Sequence, residues 1–163
     1  MNVLFVASEG VPFSKTGGLA DVIGALPKEL QKLGVEPRVV LPKYGDTPAG
    51  YEKQMELVHR MSIHVGWRNQ YCGVLKLVHE GVVFYFIDNE AHFKRPGTYG
   101  FFDDGERFAF FNRAVLEALP FLDFKPDVIH CHDWHAGMIP VLLTQYRNQA
   151  FFSRIKTYHQ TTT

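Results

Sequence analysis

The chain has 163 residues, 46% of them hydrophobic and 14% aromatic, which suits one compact domain with its own core. Its 17 Lys and Arg balance 17 Asp and Glu, so the formal net charge is zero, and broad electrostatic binding to nucleic acid or to an anionic membrane is not expected. A small local anion site remains compatible with that balance. Two cysteines, Cys72 and Cys131, make no disulfide framework. No apolar run approaches the roughly 20 residues that span a bilayer, and residues 1–7 lack the charged start of a signal peptide. The expected location is the cytoplasm.

Residues 3–7 form a short apolar run, suited to a strand buried on both faces. A polar, glycine-containing loop follows through Gly18. Leu19, Val22, Ile23, Leu26, Leu30 and Leu33 then recur at helical spacing, with Pro27 as an expected kink or break and Gly34 as an expected C-terminal cap. Val39 to Leu41 read as a second strand ended by Pro42. Strand, loop, helix and strand in this order make a βαβ unit and so a parallel sheet.

The middle of the chain changes rhythm. Residues 55–65, 71–78 and 82–88 read as strands, the last two joined at Glu80-Gly81 as a hairpin, which makes an antiparallel insertion or extension of the sheet. Residues 89–102 read as loop. A helix begins near Asp103, where Asp103 and Glu106 have capping-box spacing, and Pro120 stops it. Residues 127–131 read as a strand, 138–146 as an amphipathic helix, and 154–157 as the start of another strand. The fold class is therefore α/β: a Rossmann-like parallel sheet with flanking helices and an antiparallel hairpin insertion.

In an open parallel sheet, ligands bind beyond the carboxyl ends of the strands. Two unusual segments fall there. In Lys15-Thr16-Gly17-Gly18-Leu19, glycines let backbone N–H groups approach an anion, a helix N-terminus adds partial positive charge, and Lys15 adds a full one. That is phosphate-binding chemistry, although neither the dinucleotide fingerprint nor the P-loop pattern is present. An ordinary strand-to-helix loop fits the same residues. Glu9 and Asp21 flank this loop.

The second segment is His130-Cys131-His132-Asp133-Trp134-His135. His130 and His132 share one face of an extended strand, a spacing open to a metal-dependent hydrolase. Local packing with Asp133 as a helix cap is a second reading. Sugar binding is a third: an indole stacks on a pyranose while carboxylate and imidazole bond its hydroxyls. The loop Lys94-Arg95-Pro96-Gly97-Thr98-Tyr99-Gly100 combines cations with an aromatic and reads as a groove lining or a solvated turn.

Taken together, these segments resemble the bacterial glycogen synthase and plant starch synthase family. The residues that carry the resemblance are Val6-Ala7-Ser8-Glu9 with Pro12-Phe13, then Lys15 to Val22, Ala25 to Lys28, Leu41 to Tyr44, Asp103 to Phe108, and His132-Asp133-Trp134-His135. The resemblance implies the N-terminal half of a GT-B architecture, two Rossmann-like domains forming a retaining glycosyltransferase. Such an enzyme moves glucose from ADP-glucose to the non-reducing end of an α-1,4-glucan in glycogen biosynthesis, with no metal or other cofactor. It implies that Lys15, Gly17 and Gly18 approach the nucleotide diphosphate. Asp21, Tyr99, Asp133, Trp134 and His135 then belong to the acceptor and sugar side.

Two departures shape the remaining expectations. The family's nucleotide-binding C-terminal domain, with its catalytic-region groups, has no counterpart in these residues. The chain is therefore expected to be a truncated domain over 1–157, inactive alone, which binds glucan without turnover and self-associates through the face left for the partner domain. A non-catalytic glucan-binding module is the alternative. Residues 158–163 read as a non-family tail, so His159 is not assigned the role of the family's next histidine.

Overall fold

The computed structural model describes residues 1–161. It is a seven-stranded sheet in the order β3-β4-β5-β2-β1-β6-β7. The elements run β1 (Asn2–Val6), α1 (Gly18–Lys32), β2 (Glu36–Pro42), α2 (Ala49–Glu52), β3 (Glu56–Val65), β4 (Arg68–His79), β5 (Val82–Asp88), α3 (Glu90–Phe93), α4 (Asp104–Ala118), β6 (Val128–His132), α5 (Ile139–Leu143) and β7 (Lys156–Gln160). β5, β2, β1, β6 and β7 run parallel, and β3 and β4 are added antiparallel to one side. The mixed α/β fold is the expected one, with the antiparallel part an extension of the sheet.

Alternation along each central strand sorts the core into two layers. Leu4, Val6, Val40, Tyr85, Ile87, Ile129 and Cys131 face α4 and α5. Val3, Phe5, Ala7, Val39, Leu41, Phe84 and Phe86 face α1. The apolar runs seen in sequence are thus strands buried on both faces. Burial also holds the Cys131 thiol up at about 12, so it is a small apolar filler and not a nucleophile.

Several expectations change in detail. Pro27 does not end α1, which continues to Lys32. A proline in a helix interior costs about 3 kcal/mol, but Leu19, Ala20, Ile23 and Pro27 itself are buried on this face. Gly34 ends the helix as expected: with φ of 86° it donates to the Gln31 carbonyl while Val35 donates to that of Leu30, a Schellman arrangement.

Asp103 stands at the N-cap of α4, but its side chain makes no cap hydrogen bond. Its carboxylate takes the Arg95 guanidinium at 2.6 and 2.8 Å, a bidentate charged pair that outcompetes a neutral N–H. Asp104 instead accepts from the amides of Gly100 and Phe101. The 138–146 segment divides into α5 and a 3₁₀ turn over Thr144–Tyr146.

The last strand runs further than its apolar pattern. Tyr158, His159 and Gln160 stand in register with His130, Cys131 and His132. The main chain supplies the ladder there, and the side chains are exposed because β7 lies at the sheet edge. The part of the expected tail at 162–163 lies outside the described residues. No helix among the described residues is long and apolar enough to cross a membrane.

Candidate functional site

The carboxyl ends of β1 and β6 lie side by side, because Val6 pairs with Cys131. Both unusual sequence segments leave from this edge. After β1 the chain is buried at Ser8, Glu9 and Gly10, then turns tightly, with the amides of Phe13 and Ser14 both donating to the Gly10 carbonyl at 3.0 Å. A side chain at position 10 would meet Ile23 at 2.8 Å, so only glycine lets this turn sit between α1 and β2. Phe13 anchors it among Tyr51, Phe84 and Phe86 at ring distances of 4.9–5.1 Å.

The turn delivers Lys15, Thr16, Gly17 and Gly18 to the surface. Gly17 is the N-cap of α1, and no side chain caps the helix. A Cβ at Gly18 would meet nothing within 4 Å, so the approach to this helix end is open. Lys15 Nζ binds both carboxylate oxygens of Asp21 at 3.0 and 2.9 Å, with both side chains more than half exposed. An exposed pair of this kind is worth at most about 1 kcal/mol, so a diphosphate can displace Asp21. Beside the loop is a cavity of about 330 Å3, lined in part by Lys15, Thr16, Asp46, Gly97 and Thr98.

Glu9 is 2% exposed and turned into this loop. Its Oε2 accepts from the Thr16 amide and from the Thr16 hydroxyl, each at 2.6 Å. Ser8 joins the loop to the third segment: its hydroxyl lies 2.5 Å from the Tyr99 hydroxyl, and its carbonyl accepts from Tyr44 at 2.6 Å. Burial pushes the Tyr99 phenol well above its usual range, against an opposing hydrogen bond from Ser8.

Tyr99 is carried by the segment between α3 and α4, which Arg107 holds from beneath. Arg107 is fully buried. Its guanidinium donates to the carbonyls of His92 at 2.6 Å and Thr98 at 3.0 Å, pairs with Asp104 at 2.8 Å, and lies 4.8 Å from the Phe101 ring centre.

After β6, Asp133 adopts φ 61° and ψ −174°, a backbone region in which a non-glycine residue costs on the order of 1–3 kcal/mol. The Asp133 amide donates to Gln160 and its carbonyl takes the His159 ring, so β7 holds the strained residue. The bend turns Trp134 outward, 55% exposed, and His135 inward, 7% exposed. The His135 ring stacks on Tyr99 at 4.5 Å, 26° from parallel, and lies 4.1 Å from the Trp134 rings. Phe108 meets Trp134 edge-on at 5.4 Å. Desolvation holds His135 down at about 4, and both of its ring nitrogens are enclosed with no partner among the described residues, so it is a neutral imidazole.

The structure thus brings Tyr99, Trp134 and His135 into one aromatic cluster, with Asp133 at its base. Lys15, Gly17 and Gly18 lie on the neighbouring loop, tied in through Ser8 and Tyr99. Asp21, expected on the sugar side, sits on Lys15. His130 and His132 do share a face, with ring centres 4.1 Å apart. However, His130 Nε2 is 3.0 Å from the Gln160 side chain, and His132 stacks on Phe5 within the sheet. Among the described residues no group of three or more His, Cys, Asp or Glu could hold a metal ion. Sequence reasoning named Ser8 and Arg107 only within the resembling segments and gave neither a role. Arg107 carried a further signal, as a charge on the buried stripe of α4 beside Phe108 and Phe111.

Residues 2–161 match the family model of the starch synthase catalytic domain. The glycogen synthase of Geobacillus stearothermophilus is 60% identical over 158 residues, 96% of this chain and 33% of that protein. That of Anoxybacillus flavithermus is 59% identical over the same shares. The chain therefore spans about a third of the length of these curated relatives. Among solved structures, the catalytic domain of starch synthase IV from Arabidopsis thaliana, bound to ADP and acarbose, matches with a TM-score of 0.83 at 28% identity, over 98% of this chain and 33% of that one. The chain belongs to the starch synthase catalytic domain family.

Proposed function

We propose that the chain forms the N-terminal, acceptor-side half of a GT-B hexosyltransferase that moves glucose from ADP-glucose to the non-reducing end of an α-1,4-glucan. The observation that carries this reading is the convergence of the outward Trp134, the Tyr99–His135 stack and the open Lys15–Gly18 loop on one sheet edge. On this reading a glucosyl ring stacks on Trp134, which the neutral His135 backs, and its hydroxyls bond Asp133. The diphosphate takes Lys15 from Asp21 and meets the amides at Gly17 and Gly18. Charge developing on the departing nucleotide is stabilised there by fixed positive groups.

The relatives' names and the ADP and acarbose of the structural neighbour support this reading. The donor substrate carries its own leaving group, so no cofactor enters the scheme. The catalytic groups lie in the two thirds of the relatives' length outside this chain, which alone binds sugar without transfer. The setting is cytoplasmic, and the uncovered face leads to self-association at high concentration. Calorimetric titration with maltooligosaccharides tests the reading. Wild type gives measurable heats and Trp134→Ala loses about tenfold in affinity, the size of an aromatic contact. Equal heats from the two proteins contradict it.

A further inference from the structure

We infer that Asp104 and Arg107 act together as positioning residues for Tyr99, and through it for the face formed by His135 and Trp134. Tyr99 stands in a stretch that the backbone alone does little to fix. Gly97 and Gly100, on either side, have φ of 92° and 94°. Among the described residues, Thr98, Tyr99 and Gly100 make no backbone–backbone hydrogen bond. The stretch is held instead by one ion pair at the start of α4. Asp104 and Arg107 are three residues apart, so they share a helix face, and they pair at 2.8 Å. Asp104 accepts from the Gly100 amide at 2.8 Å and from the Phe101 amide at 3.3 Å. Arg107 donates to the Thr98 carbonyl at 3.0 Å. The two peptide groups that flank Tyr99 are therefore both tied to the same pair.

The pair is itself anchored, since Arg107 Nε donates to the His92 carbonyl of α3 at 2.6 Å. Stability alone does not account for the arrangement. Arg107 is fully buried and the Asp104 side chain is 17% exposed, and apolar residues of similar volume often match or exceed the stability of such a pair. Arg107 Nη2 is also buried without a partner among the described residues, which is a further cost. Apolar residues cannot supply directed bonds on both sides of one aromatic residue. With its backbone set, Tyr99 meets the Ser8 hydroxyl at 2.5 Å and stacks on His135 at 4.5 Å, and His135 lies 4.1 Å from Trp134. A shift at Tyr99 removes the support of both rings. The inference rests on the proposed function only in taking this face as the one that binds sugar.

Calorimetric titration with maltooligosaccharides and the aromatic proton spectrum of the full chain test it together. Asp104→Ala is expected to weaken sugar binding about tenfold, the size of a lost aromatic contact. It is also expected to move the ring-proton signals of Tyr99 and His135, because each ring lies over the other. Val74→Ala, in the buried middle of β4, is the matched control. It lowers stability through a cavity and leaves the sugar affinity and both sets of ring signals at their wild-type values. If Asp104→Ala does not fold, Asp104→Asn decides in its place, because it turns one of the two acceptor oxygens into a donor that faces an amide. Ring signals that stay at their wild-type positions overturn the inference, and so does a wild-type sugar affinity in the folded variant. A wild-type chain that binds no sugar contradicts the proposed function instead, and the ring signals then decide the positioning role alone.

Discussion

His132 and His135 sit at the carboxyl end of β6 with 1% and 7% of their surface exposed, and desolvation is the first cause holding each at about 4 instead of 6.5. In the unfolded chain both take up protons as the pH falls through 6.5, while in the folded chain they stay neutral until about 4. The unfolded state therefore binds more protons across this window, and stability falls with falling pH. Each histidine contributes a loss of about 2 kcal/mol between pH 7 and pH 5, and His130 and His92, also lowered by burial, act in the same direction. Carboxylates held low by cations, such as Asp103 beside Arg95, titrate below this window, whereas Asp88, which burial raises, works against the histidines. For a domain of this size, about 4 kcal/mol corresponds to a fall in Tm of roughly 8–16 °C. Thermal melts at half-unit steps from pH 7 to pH 5 read it directly, with His135→Gln as the matched variant that removes one titrating group and about half of the two-histidine slope. A Tm that stays flat over this range, or an unchanged slope in the variant, refutes the desolvation argument.

Two further outcomes follow from packing. Arg107→Leu strips the buried carbonyls of His92 and Thr98 of their donor and leaves Asp104 without its cation, at a cost of about 3 kcal/mol in urea denaturation; a change below about 1 kcal/mol contradicts the clamp. Gly24→Ala places a methyl 2.3 Å from Val11 Cγ2, where α1 meets the turn after β1, and destabilises by about 1–3 kcal/mol instead of adding helix propensity. A stabilised variant shows that the contact relaxes.

Much of this architecture was legible because burial on both faces writes itself as continuous apolar runs. Residues 3–7 and 39–41 are read as strands on that ground alone, and Gly34 as a cap from its position after the last apolar helical residue. Elements governed by tertiary pairing were less legible. The edge strand β7 is completed by Tyr158, His159 and Gln160, which bury little and are ordered by the ladder to β6. Asp103 had the spacing of a cap, but Arg95, eight residues earlier, takes its carboxylate. At the site, Lys15 and Trp134 were visible as unusual residues at strand ends. The bonds within their loops, from Thr16 to Glu9 across seven positions and between Ser8 and Tyr99 across 91, leave no period to read.

The central claim is that the loops after β1 and β6, with Tyr99 between them, form one sugar- and diphosphate-binding edge. Heteronuclear NMR titration of the isotope-labelled chain, with a maltooligosaccharide in one series and ADP in the other, tests it most directly. The account predicts that the sugar shifts the amides of Tyr99, Asp133, Trp134 and His135 together with the Trp134 indole signal, and that ADP shifts Thr16, Gly17, Gly18 and the Lys15 side chain. Saturating shifts elsewhere on the surface, or a spectrum unmoved by either ligand at millimolar concentration, contradict it.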